Sequence, residues 1–416
     1  MVPRISQFAQ TLTAEAAFVV LAAAKQLKAA GKDVVELEIG DSPFCSTAHA
    51  KQAGLQAITD NVTRYCPSPG LPDVRQAAAG FVRSEFRVPA EAANVAIGPG
   101  AKIFEQFFCE AFLEAGDGVL VFSPHFPTYE PNIKRRNARM VLQALTQEQE
   151  FRPQAADIER FLNNDPSPKA IFLNSPHNPT GGVATEQDLR DIADLVRGTN
   201  IAVFSDEPYC HMVWKGRHHS LAAQPGMLQH CVSAYTFSKS YSMSGWRLGF
   251  CVSSPEIIDA IGLMINTTLS CTPPLVQLAG KAALERDAVE RDSVMQQFRS
   301  KVELLTNGLN QIDGFHVLTP AATFYVYANV SEVCERLQIS SHGLALYLLE
   351  GADDDFGIAC LGGECFGAAG AGFLRFSCAE SDDRLQQALA FIPQALQRTD
   401  RLNAWLAQNP GHGIES

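Results

Sequence analysis

No pair of cysteines stands three residues apart in these 416 residues, although the chain has eleven cysteines. A dithiol redox motif or a zinc ribbon is therefore excluded. An odd, scattered set in a long chain reads as free thiols in a reducing compartment, so a cytoplasmic protein is expected. Basic residues are in deficit, 33 against 45 acidic ones, for a net charge of −12. That disfavours nucleic acid and anionic membrane as partners, because both call for a basic face. No run reaches the roughly 18 apolar residues of a membrane span. The apolar stretch Ala14 to Ala24 is broken by Glu15 and has no cleavage signal after it, so an amphipathic helix is expected there and not an export signal. His125 and His177 have no neighbouring carboxylate pattern that would make a metal cluster, and no metal is expected. The glycine turn after Ile97 is neither GxGxxG nor GxxxxGK[ST], so neither a dinucleotide site nor a P-loop is supported.

What remains is ordinary for a globular protein: 46% hydrophobic and 19% charged residues, in a chain long enough for roughly two or three domains. Taken in order, Ala14 to Ala30 favours a helix closed by Gly31, and Val34 to Ile39 a short strand ending at Gly40. Tyr65 precedes a loop rich in proline and glycine, Cys66 to Pro72. Asn94 to Ile97 is a strand that runs through Gly98-Pro-Gly-Ala-Lys102 into a helix with Phe104, Phe107 and Phe108 on one face. A glycine turn feeding a helix N-terminus suits an anion, since free N–H groups and the dipole point at it.

Further strands are expected at Gly118 to Phe122, Lys169 to Leu173 and Ile201 to Ser205. Each ends in a distinctive loop. The first carries Phe126, a ring that could lie on an aromatic ligand or simply fill the core. The second carries Asn178-Pro-Thr-Gly181, and the third begins Asp206-Glu-Pro-Tyr209. Thr185 and Asp188 have the spacing of a capping box for the helix that follows. Strand and helix alternate, so a mostly parallel sheet with helices on both faces is expected, with its ligand at the C-terminal strand ends.

The stretch Ser233 to Gly249 is the focus. Lys239 lies among small hydroxyl residues, and Arg247 follows between Gly245 and Gly249. A lysine is ordinarily a solvated surface residue. Burial and a nearby cation favour the neutral amine, which is a nucleophile for carbonyl carbon. An arginine beside it could clamp a phosphate with its planar fork. The loops after Ile97, Phe122, Leu173 and Ser205 and the Lys239 turn all fall on one sheet edge, and their convergence is the main sequence argument. Beyond Val252 a long helical region from about Val276 to Ile312 leads to a second unit with strands at Thr323 to Ala328 and Phe373 to Ser377. Arg375 interrupts an apolar strand there and needs either an internal carboxylate or an anionic ligand. The tail past about Leu402 is expected to be loosely held.

Asn178-Pro-Thr-Gly181, Asp206-Glu-Pro-Tyr209, Ser238-Lys239 and Ser244-Gly-Trp-Arg-Leu-Gly249, in this order and spacing, resemble the fold type I aminotransferases that depend on pyridoxal phosphate (PLP), the aspartate aminotransferase superfamily. The resemblance covers nearly the whole chain, from Leu27 to Ser377. It implies an α/β large domain with a mostly parallel sheet flanked by helices, plus a smaller α+β domain built from both chain ends. Residues 1–45 would be an N-terminal arm and part of the small domain, 46–285 the large PLP-binding domain, 286–402 the small domain and 403–416 a tail. By motif, Lys239 is implied as the Schiff-base lysine and Asp206 as the partner of the pyridinium nitrogen. Tyr209 and Asn178 would face the phenolate oxygen, and Phe126 would stack on the ring. Gly100, Ala101, Lys102, Thr236, Ser238 and Arg247 would hold the phosphate, with Tyr65 reaching the phosphate of a neighbouring subunit in a homodimer. Arg375 and Gly40 would bind the substrate α-carboxylate, alongside Asn178. The implied substrates are an amino acid and a 2-oxo acid.

Lys102 also resembles a lysine that serves acidic substrates in one subgroup, which suggests an aspartate- or glutamate-type donor. The same scaffold supports PLP-dependent lyases, synthases and oxidative enzymes, which share these residues. A non-enzymatic PLP-binding regulator would more plausibly carry a basic DNA-binding segment, and none is seen.

Overall fold

The first strand of the chain, β1 (Asp33–Glu36), does not join the sheet that the next seven build. In the computed structural model, which describes residues 3–414, those seven are β2 (Val95–Gly98), β3 (Gly118–Ser123), β4 (Arg139–Ala144), β5 (Pro168–Asn174), β6 (Ala202–Asp206), β7 (Cys231–Thr236) and β8 (Gly249–Val252). Their order is β2-β8-β7-β6-β5-β3-β4, and only β8 runs against its neighbours. The mostly parallel sheet expected from the alternation of strands and helices is present. Strands β2, β3, β6 and β8 are buried along their whole length, which is why they read as apolar runs and not as alternating ones. The edge strand β4 has no buried residue.

Helices cover both faces. Phe104, Phe107 and Phe108 of helix Lys102–Phe112 pack with Ile258, Ile261 and Ile265 of helix Pro255–Leu269 on one face. Val74, Ala78 and Val82 of helix Pro72–Phe86 join Leu189 and Ile192 of helix Glu186–Val196 on the other. Each large side chain so buried is worth about 2 kcal/mol of apolar transfer. The Thr185–Asp188 capping box forms as expected, with both reciprocal hydrogen bonds present.

The second unit contains β9 (His316–Val317), β10 (Tyr325–Asn329), β11 (Phe356–Ala359), β12 (Leu361–Gly362) and β13 (Phe373–Ser377). Four of them form an antiparallel sheet in the order β12-β13-β10-β9. The remaining strand, β11, pairs in parallel with β1, Asp33 opposite Phe356, so both chain ends build this unit.

Two expectations are corrected. The helical region from Val276 to Ile312 is two helices, Pro274–Arg286 and Ala288–Leu309, parted at Asp287. The buried Asp287 carboxylate accepts from the N–H groups of His49 and Ala50, so it serves the N-terminus of helix Ala48–Thr59. The tail past Leu402 is also not loose. Helix Thr399–Gln408 carries Leu402 and Trp405 into the core, the Trp405 ring stacks on His412, and Ser340 N–H donates to the His412 carbonyl at 2.8 Å. A single indole supplies enough apolar area to dock this segment. Trp405→Ala should therefore cost about 3 kcal/mol of stability, read as a lower urea midpoint; an unchanged midpoint would mean that the helix is not anchored by its indole.

Candidate active site

Because β2, β3, β5, β6 and β7 all point the same way, the loops after them open on one edge of the sheet. There they surround a cavity of about 550 Å³. Its floor and walls come from both units. Lys239 lies on the short helix Phe237–Ser240 directly after β7, where the Thr236 hydroxyl accepts from Ser238 N–H and caps the turn. Lys239 Nζ donates to the Gly40 carbonyl and stands 5.9 Å from the Tyr209 ring and 5.7 Å from the Phe324 ring.

Asp206 ends β6 and is buried. Its Oδ2 accepts from the Tyr129 hydroxyl at 2.6 Å. Burial pushes this carboxyl up to about 6, against the pull of that hydrogen bond and of the Lys102 charge. Glu105, on helix Lys102–Phe112, lies in the same cavity. Burial, and then the Asp206 charge, hold it well above the usual carboxylate range, while it accepts from Thr128 at 2.6 Å. The Tyr209 phenol, raised chiefly by burial, donates to the Tyr325 hydroxyl at 3.2 Å.

Arg375 crosses from β13 of the second unit. It donates to Asn178 Oδ1 at 3.1 Å and to the Glu38 carbonyl, and it lies 4.2 Å from the Tyr325 ring and 4.8 Å from the Phe366 ring. Of the two partners considered from the sequence, an internal carboxylate is not found among the described residues. Its buried Nε makes no hydrogen bond at all.

At the turn before helix Lys102–Phe112, Gly100 has φ of +89° and a Cβ there would come 2.6 Å from Arg247 Nη2. A Cβ on Gly249 would meet the Gly100 carbonyl carbon at 2.6 Å. The two glycines let strand β8 and the turn approach closely enough to present Arg247 beside the helix N-terminus. Ala101, Lys102, Thr236, Ser238 and Arg247 all line the cavity, as do Gly40, Phe126, Asn178, Asp206, Tyr209, Lys239 and Arg375. Gly100 backs the arginine without lining it. Tyr65 stands apart, 88% exposed and outside the cavity.

The sequence reading missed Tyr129, Glu105, Tyr325 and Glu15. Tyr129 falls at the end of the loop that carries Phe126, but its bond to Asp206 joins residues far apart in the chain. Glu105 is the one acid on an otherwise phenylalanine-rich helix face, and that was an available signal.

The family model "Aminotransferase class I and II" matches residues 32–392. The chain belongs to this family. It is 30% identical to the aspartate aminotransferase of Pyrococcus horikoshii over 88% of this chain and 91% of that one. It is 31% identical to a probable aspartate/prephenate aminotransferase of Aquifex aeolicus over 91% and 95%. Among solved structures, an aspartate aminotransferase from Thermus thermophilus with maleate superposes with a TM-score of 0.88 at 27% identity, covering 95% of this chain and all of that one. The protein is thus a PLP-dependent aminotransferase. The residues present fit that cofactor: a Cβ-free cradle with an arginine beside it, a buried carboxylate with one oxygen free of hydrogen bonds among the described residues, and a lysine amine in the same cavity.

The Asp206 environment makes a pH prediction for the cofactor-free protein. Its folded value lies above the unfolded one, so the contribution of this group to stability is complete below the unfolded value and is lost as pH rises through about 6. Between about pH 5 and pH 8 wild type should lose on the order of 1 kcal/mol more stability than Asp206→Asn. Urea denaturation of both proteins across that range checks it; parallel curves would contradict the assigned burial cost.

Proposed function

We propose that the protein moves an amino group from an acidic amino acid, of aspartate or glutamate type, to a 2-oxo acid, with Lys239 as the residue that holds the cofactor covalently and serves as the catalytic base. The observation that carries this reading is one cavity shared by the Lys239 amine, a buried Arg375 without a carboxylate partner, and the Lys102 ammonium. Bound PLP supplies an electron sink for the pair released at the substrate α-carbon. The chain supplies orientation and protons. Arg375 takes the α-carboxylate with its planar fork, and the Tyr325 and Phe366 rings against its guanidinium help to hold it in position. Gly40 and Asn178 flank that position. Lys239 Nζ takes the α-proton and later returns it.

Asp206 would keep the cofactor's ring nitrogen protonated. Tyr209 and Asn178 would hold the phenolate oxygen, and Phe126 would cover the ring. The Gly100–Lys102 turn, Thr236, Ser238 and Arg247 would bind the phosphate. Lys102, 5.1 Å above Phe126, is the cation that selects an acidic side chain.

We further propose a homodimer in which Tyr65 reaches the site of the second copy. The exposed tyrosine sits on a loop packed beside helix Pro255–Leu269, where Asn266 donates to Ser68 and Leu263 is 70% exposed. Eleven unpaired cysteines support a cytoplasmic location. No helix among the described residues is long and apolar enough to cross a membrane.

Visible absorption of the holoenzyme during single additions of amino acids, without a 2-oxo acid, tests the reaction. Aspartate or glutamate should convert the cofactor to its amine form, and Lys239→Ala should abolish the conversion. A spectrum that returns unchanged while ammonia is released would support an eliminating enzyme instead. Lys102→Ala should lower kcat/KM for aspartate about tenfold relative to alanine; an unchanged ratio would remove Lys102 from side-chain selection.

A further inference from the structure

The Lys102 ammonium is not free. It is bound by the Glu15 carboxylate at 2.5 Å, and Glu15, Ala17 and Phe18 line the same cavity as Lys102 and Phe126. Glu15 is the N-cap residue of helix Ala16–Ala29, yet its side chain makes no capping bond to that helix. The carboxylate reaches across to Lys102 instead, although a helix N-terminus is where an acidic side chain is ordinarily retained. The segment that carries it is lightly held. Helix Gln7–Thr11 buries no residue, Leu12 and Phe18 are 46% and 55% exposed, and Phe8 is tied down by Arg135 stacking 5.3 Å from its ring.

Resting on the acidic-donor reading above, we infer that Glu15 is a specificity-determining residue: an internal carboxylate that occupies the seat of the substrate's side-chain carboxylate and yields it on demand. An acidic side chain displaces Glu15 from Lys102 and takes the same ammonium. An uncharged side chain leaves the pair closed, meets no bare cation, and packs on Ala17, Phe18 and Phe126. The pair therefore broadens the substrate range, since an unpaired Lys102 would penalise every neutral side chain that covers it without offering an acceptor. Glu15 and Lys102 are partly exposed, 21% and 44% at the side chain, so exchange of one carboxylate for another needs no deep desolvation.

The test is a double-mutant cycle on the holoenzyme with Glu15→Gln, Lys102→Ala and the pair. kcat/KM for aspartate and for phenylalanine is measured for each, together with the dissociation constant of maleate, a non-reacting dicarboxylate. In Glu15→Gln the aspartate-to-phenylalanine ratio should rise and maleate should bind more tightly, each by about fivefold, the size expected for a partly exposed ion pair. In the Lys102→Ala background the same substitution should do nothing, which a merely structural role for Glu15 would not produce. If Lys102→Ala costs aspartate while Glu15→Gln moves neither the ratio nor maleate, Glu15 is no competitor and the acidic-donor reading stands without it. If Lys102→Ala leaves aspartate unaffected, that reading fails and the competition fails with it.

Discussion

Arg375 is buried without a carboxylate hydrogen-bonded to it among the described residues, and the rest of the molecule is arranged to make that tolerable. An isolated ion in the interior is costly unless every donor is engaged or a ligand completes the set. Here two donors go to oxygens from remote parts of the chain: the Asn178 amide after β5, and the Glu38 carbonyl just past β1. The guanidinium also lies over two aromatic rings, those of Tyr325 and Phe366. The Glu38 carboxylate itself stays out of the bond, fully buried, with both oxygens unpartnered and its acid strength weakened to about 7 by burial. A direct Arg375–Glu38 ion pair would have neutralised the arginine from within. Contact through the main-chain oxygen holds the guanidinium in place and leaves its charge unpaired by the Glu38 carboxylate.

The same logic runs through the opposite wall. Asp206 and Glu105 are two buried carboxyls, each raised chiefly by burial, and the Asp206 charge raises Glu105 further. Tyr129 and Thr128 give them hydroxyl donors, not cations. A protein that only needed stability would replace such a pair with apolar side chains of similar volume. Its retention beside an amine and three other cations makes sense for a ligand that brings both a protonated ring nitrogen and anionic groups.

The sheet was legible in the sequence because doubly buried parallel strands read as short apolar runs, each punctuated by proline, glycine or asparagine where its loop begins. The cavity was legible for the same reason: those loops share one edge, so residues such as Asp206, Asn178 and Lys239 could be grouped without knowing any distance. What escaped notice depends on partners remote in sequence. The break at Asp287 is set by the N-terminus of helix Ala48–Thr59, which no local propensity reveals. Docking of the last helix hinges on one indole. Tyr129 bonds to an Asp206 remote in sequence, and the Glu15 partner of Lys102 lies in a segment whose pattern shows only an amphipathic helix.

That last partnership follows from strand pairing. Parallel pairing of β1 with β11, Val34 opposite Gly357 and Glu36 opposite Ala359, fixes the N-terminal segment from both sides. Upstream of the strand, helix Ala16–Ala29 is aimed back so that Glu15 meets Lys102; downstream, the chain turns so that Gly40 offers its carbonyl to Lys239 and Glu38 offers its own to Arg375. Gly40 has no room for a side chain, since a Cβ there would overlap the Tyr325 hydroxyl. One short strand thus sets the register of three polar contacts, to the Lys239 amine, the Arg375 guanidinium and the Lys102 ammonium. A one-residue slip would send the alternating side chains to opposite faces and spoil all three together. The pairing joins the two ends of the chain, so the site is complete only after the last strands of the second unit have formed.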